Sequence, residues 1–203
     1  MNFDHFSPFF SALEILLRQQ KTAIVAIEGG SASGKTTLAT LLKQQYECNI
    51  FHMDDFFLQP HQRHPERYSQ PYGNIDYERF LEEVLVPLSA GQSVQYRRFN
   101  CHTLSLEPPV EISFCPLNFI EGTYSMHPLF APHYDLSVFL NISPEFQRQR
   151  IHARNTPDSA QRFFSTWIPM EQRSFSTVNT MTRCNLIIDI LRNDSLPLSH
   201  SNS

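Results

Sequence analysis

Nine consecutive residues, Gly29, Gly30, Ser31, Ala32, Ser33, Gly34, Lys35, Thr36 and Thr37, carry the most specific chemistry in the chain. They satisfy the pattern G-x-x-x-x-G-K-[ST], whose glycines let successive backbone N–H groups turn inward around a polyphosphate. In that pattern Lys35 reaches the terminal phosphates and Thr36 offers its hydroxyl to Mg²⁺. The bland alternative is a Ser/Gly-rich turn that binds nothing. The flanks favour phosphate binding: an apolar, β-branched run over 22–27 precedes the motif, and a helical pattern over 38–45 follows it. Strand, loop and helix in that order set the positive end of a helix against the phosphates.

Two carboxylates stand directly after apolar runs. Asp54 follows 49–53 and opens Asp54-Asp55-Phe56-Phe57, and Glu121 follows 116–120. In open α/β sheets ligands lie outside the carboxyl ends of the strands, so an acidic residue emerging there can act on a bound nucleotide or acceptor. Paired Asp residues also cap turns, and that reading stands beside the first. Arg150 and Arg154 fall on one helical face, and Arg162 belongs to a second helix. Such arginines either sit on a solvated surface or close over phosphate and neutralise transition-state charge.

The elements that must hold these residues are legible in outline. Residues 8–20 predict an amphipathic helix with Ser7 as N-cap, Pro8 in the first turn, and Phe9, Leu13, Leu16 and Leu17 on one core-facing side. Residues 58–75, with Pro60, Pro65, Pro71 and Gly73, read as a long irregular segment that covers substrate. From Asp76 the spacing of Phe80, Leu81, Val84 and Leu85 predicts a helix that stops near Pro87. The runs 94–99 and 110–112 suggest a small antiparallel hairpin or lid beside the main sheet. Val138, Phe139 and Leu140 mark another buried strand, and Pro144 opens a helix that ends near Arg154. A second helix should carry Arg162, Phe163, Phe164 and Trp167 before Pro169, with Trp167 as its packing anchor. Residues 186–190 read as the last strand, and 195–203 as a loose polar tail.

Composition narrows the setting. The 203 residues fit one domain spanning 1–203, without internal repeats. A hydrophobic content of 41% argues for a real core, and a net charge of −4 gives no basic footprint for nucleic acid or an anionic membrane. Cys48, Cys101, Cys115 and Cys184 are scattered singly, which argues against a zinc site or a disulfide framework and for reduced thiols. The N-terminus lacks a basic region before an apolar core, and no run approaches the ~20 apolar residues of a membrane span. A soluble, cytoplasmic protein with neither nucleic-acid nor membrane partners is expected.

Assembled, these motifs resemble the uridine kinase-like branch of P-loop small-molecule kinases. The resemblance rests on the 29–37 loop, His52-Met53-Asp54-Asp55-Phe56-Phe57, Gly73-Asn74-Ile75-Asp76-Tyr77-Glu78-Arg79-Phe80 and Phe119-Ile120-Glu121-Gly122-Thr123-Tyr124-Ser125-Met126-His127-Pro128. It continues through Gln147 to Asn155 and Trp167-Ile168-Pro169-Met170-Glu171, in order over most of 20–190. The resemblance implies an α/β P-loop NTPase fold: a three-layer sandwich with a mostly parallel central sheet, an acceptor-side insertion over 55–113 and a helical lid over 150–170. It implies transfer of the γ-phosphate of ATP, or another triphosphate, to a hydroxyl of a nucleoside-like acceptor, with Mg²⁺ as cofactor. Asp54 matches the carboxylate that takes the acceptor proton and helps organise the metal, and Asp76 falls where ribose is hydrogen-bonded. Glu121 supports the metal shell with Thr36, and Arg150, Arg154 and Arg162 belong to the lid.

The match departs in the segment that reads the base. Tyr96-Arg97-Arg98-Phe99-Asn100-Cys101-His102 supplies Tyr96 and His102 as candidates, but the spacing does not align, and ordinary packing or exposure stands against each. Arg97 and Arg98 would equally suit a phosphorylated or carboxylated acceptor. The Asp-Asp-Phe-Phe string also looks like nicotinamide riboside kinases, so a kinase of that nucleoside, of a vitamin precursor or of another small alcohol is a second reading. A catalytically silent nucleotide-binding regulatory module is a third. A GTPase switch ranks low, because the chain has no Asn-Lys-x-Asp string. The sequence leaves self-association open.

Overall fold

The computed structural model describes residues 4–190, so the expected tail over 195–203 lies outside the described residues. Helix α1 (Ser7–Gln19) follows a 3-10 turn at Asp4–Phe6 and buries Phe9 and Leu13. Its cap is Phe6 and not Ser7: the preceding turn already holds Phe6 in a helical conformation, so Ser7 falls inside the helix and caps nothing. Strand β1 (Ala23–Gly29) is buried along its whole length, as an interior parallel strand requires, and the phosphate-binding motif carries it into α2 (Lys35–Gln45). Strand β2 (Asn49–His52) ends in a 3-10 turn, Met53–Phe56.

The segment after β2 is built rather than loose. A 3-10 turn (Pro60–Gln62) and α3 (Pro65–Ser69) lead to α4 (Tyr77–Phe80). Arg67 ties this stretch down. Its guanidinium donates to both Glu78 carboxylate oxygens (2.7 and 2.6 Å) and to the Ile75 carbonyl (2.9 Å), and it stacks on the Tyr77 ring.

Two helices run through prolines expected to stop them. A π turn, Leu81–Leu85, joins α4 to α5 (Val86–Ser89), with Pro87 in the first turn of α5. The Val86 N–H there reaches back five residues to the Leu81 carbonyl. This wider turn lets the chain accept a ring that would otherwise meet the carbonyl four residues back. The same device recurs at Pro169, described with the lid below.

Strand β3 (Val94–Tyr96), short strands β4 (Phe99–Asn100) and β5 (Ser105–Leu106), and β6 (Val110–Ile112) follow. The expected antiparallel pairing is present: Val94 faces Ile112 and Tyr96 faces Val110. Phe99 and Asn100 pair with Leu106 and Ser105 in a second small ribbon. Strands β7 (Leu117–Glu121) and β8 (Leu136–Ile142) return to the main sheet, and Ser143 caps α6 (Pro144–Arg154). The chain continues as α7 (Pro157–Arg162), a π turn (Phe163–Trp167) and α8 (Ile168–Thr177), so the helical segment expected to form a lid runs past Pro169. The Ile168 N–H bonds the Phe163 carbonyl in the same five-residue pattern. Helix α9 (Thr180–Arg183) and strand β9 (Leu186–Ile190) complete the described chain.

The five-stranded sheet is parallel throughout, in the order β2-β7-β1-β8-β9. Alternation along its strands divides the core into two layers. Val25, Ile27, Phe119 and Val138 pack with α1 and with Leu38 and Leu42 of α2. Ile24, Phe51 and Ile120 face the other way, onto Phe56, Tyr72, Phe80 and Phe130. Each fully buried side chain of this size contributes roughly 1.5–3 kcal/mol. With β1 central, the motif after its last residue opens between β7 and β8, and register sets His52 and Ile27 opposite Glu121 at the same sheet edge.

Candidate active site

The phosphate-binding loop takes its shape from residues with unusual backbone angles. Gly34, the residue before α2, has φ +104°, and a Cβ on Gly29 (φ +152°) would lie 2.7 Å from the Leu140 carbonyl oxygen. Only glycine meets both demands cheaply. Lys35 is buried and folds back over the loop. Its ammonium donates to the carbonyls of Gly29 (2.8 Å) and Gly30 (3.0 Å) and to the Thr123 hydroxyl (3.2 Å). Ser31, Ala32, Gly34, Lys35, Thr36 and Thr37 line an open cleft of about 1210 Å³, while Gly29, Gly30 and Ser33 lie behind that surface. The volume has room for a nucleotide and a second small molecule together.

Beneath the loop lies Glu28, which the sequence reading passed over. Its carboxylate is fully buried and accepts N–H bonds from Gly29 (2.9 Å), Tyr124 (3.0 Å) and Met126 (2.9 Å). Burial pushes its carboxyl up to about 7, against the pull of those N–H groups and Lys35. The contacts bind the start of the phosphate loop to the segment after β7. A carboxylate ending an otherwise apolar buried strand was the signal that could have revealed it.

Asp54 and Glu121 both reach the cleft. Asp54 opens onto it, and its carboxylate makes no hydrogen bond with a described residue. Enclosure by surrounding protein raises its carboxyl above the ordinary range, with Lys35 pulling the other way. Glu121 is buried and holds His52 Nδ1 at 2.6 Å, and that bond raises the imidazole. Among the described residues no cluster of three or more His, Cys, Asp or Glu forms a ready cation cage. Mg²⁺ needs none, since it takes one or two carboxylates together with phosphate oxygens and water. The Asp54 and Glu121 carboxylates and the Thr36 hydroxyl, all lining the cleft, suit that donor set.

From α6 and α7, Arg150, Arg154 and Arg162 all line the cleft. Arg150 donates to the Ala32 carbonyl (3.1 Å) and lies over the Phe146 ring. Desolvation lowers the Arg154 guanidinium from its usual value. Glu171 ends the string 167–171 that the resemblance includes, but its role comes from tertiary placement. Its carboxylate accepts the backbone N–H (3.0 Å) and the hydroxyl of Ser31, while Gln147 donates to the Ser31 carbonyl (2.8 Å). Burial raises the Glu171 carboxyl.

Other expected site residues lie elsewhere. Asp76 is buried as the N-cap of α4, accepting the Arg79 N–H (3.2 Å) and pairing with the Arg79 guanidinium (3.4 Å), and it does not line the cleft. Tyr96 is packed against Phe51 and Phe56, and its hydroxyl donates to Asp55 (2.7 Å). His102 is exposed in the turn between β4 and β5, away from the cleft. Arg97 pairs with Glu83 and Arg98 with Asp55, and neither lines the cleft. Trp167 is not a buried anchor. It is 36% exposed at the cleft, with its ring 6.5 Å from that of Phe57.

No protein-family profile matches the chain. A bifunctional alpha-galactosidase/sucrose kinase, AgaSK, of Mediterraneibacter gnavus is 28% identical over 181 residues. The match takes in 75% of this chain and 19% of that protein, so the chain spans under a fifth of that relative's length. Among solved structures, a protein of Bacillus stearothermophilus assigned as a uridine kinase superposes with a TM-score of 0.67 at 22% identity, covering 92% of this chain and 98% of the other. A protein of Silicibacter sp. TM1040 assigned as a fructose transport system kinase gives a TM-score of 0.59 at 20% identity, covering 84% and 91%. The fold is the three-layer α/β fold of P-loop kinases, uridine kinase-like in its architecture.

Proposed function

On the premise of a P-loop kinase fold, we propose that the protein transfers the γ-phosphate of ATP to a hydroxyl of a small acceptor. The observation that carries this reading is Asp54: a carboxylate without a hydrogen bond to a described residue, in the same cleft as Lys35 and Thr36. The phosphate loop binds the donor. Asp54 accepts the proton of the acceptor hydroxyl as its oxygen bonds the γ-phosphorus and ADP leaves. Lys35, Arg150, Arg154 and Arg162 supply positive charge around the transferred group, where positioning and electrostatics provide most of the rate. Thr36, Asp54 and Glu121 would hold Mg²⁺, which neutralises phosphate charge when bound.

A nucleoside-like acceptor follows from the resemblance in sequence. A second reading, a free sugar or other small alcohol, is favoured by the burial of Tyr96 and the outward placement of His102, which leave the cleft without the expected base contacts. ADP release from MgATP, measured over nucleosides, sugars and vitamin-like alcohols, tests the proposal. Release that depends on one class of acceptor is expected. Binding of ATP with no acceptor-dependent release across the panel would instead favour a regulatory nucleotide-binding module.

A further inference from the structure

Asn74 is 6% exposed, lines the cleft, and its carboxamide makes no hydrogen bond with a described residue. Its amide atoms are open to the cleft, where a ligand can pair with them as donor and acceptor. The backbone that presents it is also under strain. Tyr72, two residues earlier, has φ +61°, which is unfavourable for a bulky residue. It is held there by a buried hydroxyl contact to Thr180 (2.5 Å) and by donating its N–H to the Ser174 hydroxyl (2.9 Å). At Gly73 a Cβ would fall 1.8 Å from the Arg67 carbonyl oxygen, so no other residue fits. On the far side Ile75 bridges to Phe57, and Asp76 caps α4. The residue is thus fixed from both sides at the cleft wall, and its carboxamide bonds no described residue.

Around it the cleft offers the Asp54 carboxylate and the tilted rings of Phe57 and Trp167. A carboxamide donates and accepts at once, as a hydroxyl does, and aromatic faces cover the C–H face of a sugar ring. We propose that Asn74 is the specificity-determining residue of the acceptor half: it bonds a ring hydroxyl next to the one presented to Asp54, with the ring against Phe57 and Trp167. The ligand class is a neutral sugar ring with adjacent hydroxyls, supplied by a nucleoside or by a free sugar. In taking Asp54 as the reacting end, the inference rests on the phosphotransferase reading.

Trp167 is the single tryptophan of the chain, so its fluorescence reports on this end of the cleft. Wild type, Asn74→Ala and the bulk-conserving Asn74→Leu are titrated in MgADP with uridine and cytidine, with fructose and sucrose, and with benzyl alcohol as a mono-alcohol control. Circular dichroism identifies folded variants, and Asn74→Leu is read if Asn74→Ala fails to fold. The expected result is saturable binding of one polyol class to wild type, weakened about five- to tenfold in the variants, as for one lost hydrogen bond, with MgADP affinity unchanged. Unchanged polyol affinity in a folded variant, or no polyol binding to wild type, overturns the inference. ADP release from MgATP with the same compounds separates the two readings. Polyol binding sensitive to Asn74 without turnover would sink the phosphotransferase reading alone, whereas turnover with unaltered acceptor affinity in the variants would sink the Asn74 assignment alone.

Discussion

Asp54 and Asp55 are neighbours in sequence with opposite surroundings. Asp55 receives the Tyr96 hydroxyl and lies 3.4 Å from Arg98, while Asp54 turns to the cleft without such partners. Asp76 shares the fate of Asp55: its carboxylate serves a cap and a buried ion pair with Arg79. Removing one member of a buried pair leaves an uncompensated charge, so Asp76→Ala should destabilise the fold by about 3 kcal/mol or more in urea unfolding, and Asp76→Asn by less because it keeps a cap acceptor. A change confined to acceptor KM, with stability intact, would return Asp76 to the acceptor site. The distinction was only partly legible in the sequence. An Asp followed three residues later by Arg at a helix start does signal a cap, but burial of the pair comes from packing against Phe56, whose ring lies under Arg79. Asn74 stood in the string 73–80 without a role of its own, since its importance lies in the lack of a partner among the described residues.

At the scale of elements, the phosphate loop and the lid are joined through Glu171 of α8 and Ser31. This contact sets α8, and with it the cleft face of the lid, relative to the bound donor. Glu171→Ala should therefore quicken amide exchange across 157–177 and lower turnover, whereas Glu171→Gln, which still accepts the Ser31 N–H, should retain more of both. Equal lid protection in Glu171→Ala and wild type, measured by hydrogen exchange, would show that the contact does not hold the lid. The strands, the loop and α2 could be read from the chain because their apolar runs and glycines are local signals. Lid length could not be read in that way, because the π turns ahead of Pro87 and Pro169 remove the clash that makes proline a stop signal.

Across the whole molecule, the layers that carry the site also tune its response to pH. His127 is buried, stacked on Tyr77, and its Nδ1 accepts the Leu129 N–H (3.2 Å), a bond that a protonated ring cannot make. Burial lowers the imidazole from 6.5 to about 4. As pH falls through that window the unfolded chain takes up the proton first, so stability is lost on acidification. Glu28 acts in the opposite direction. Its folded value of about 7 exceeds the ordinary 4.5, so its contribution is lost as pH rises between the two. His127→Phe should accordingly gain stability relative to wild type as pH is lowered from 6.5 toward 4, and parallel curves in urea unfolding would remove the assignment. In the proposed reaction this architecture serves phosphoryl transfer through Asp54. The most direct measurement is acceptor-dependent ADP release by Asp54→Asn beside wild type, with MgADP binding followed at Trp167. A fall of about 10²–10⁴-fold with nucleotide binding intact is expected for loss of a general base. Wild-type turnover by Asp54→Asn would show that Asp54 is not the base.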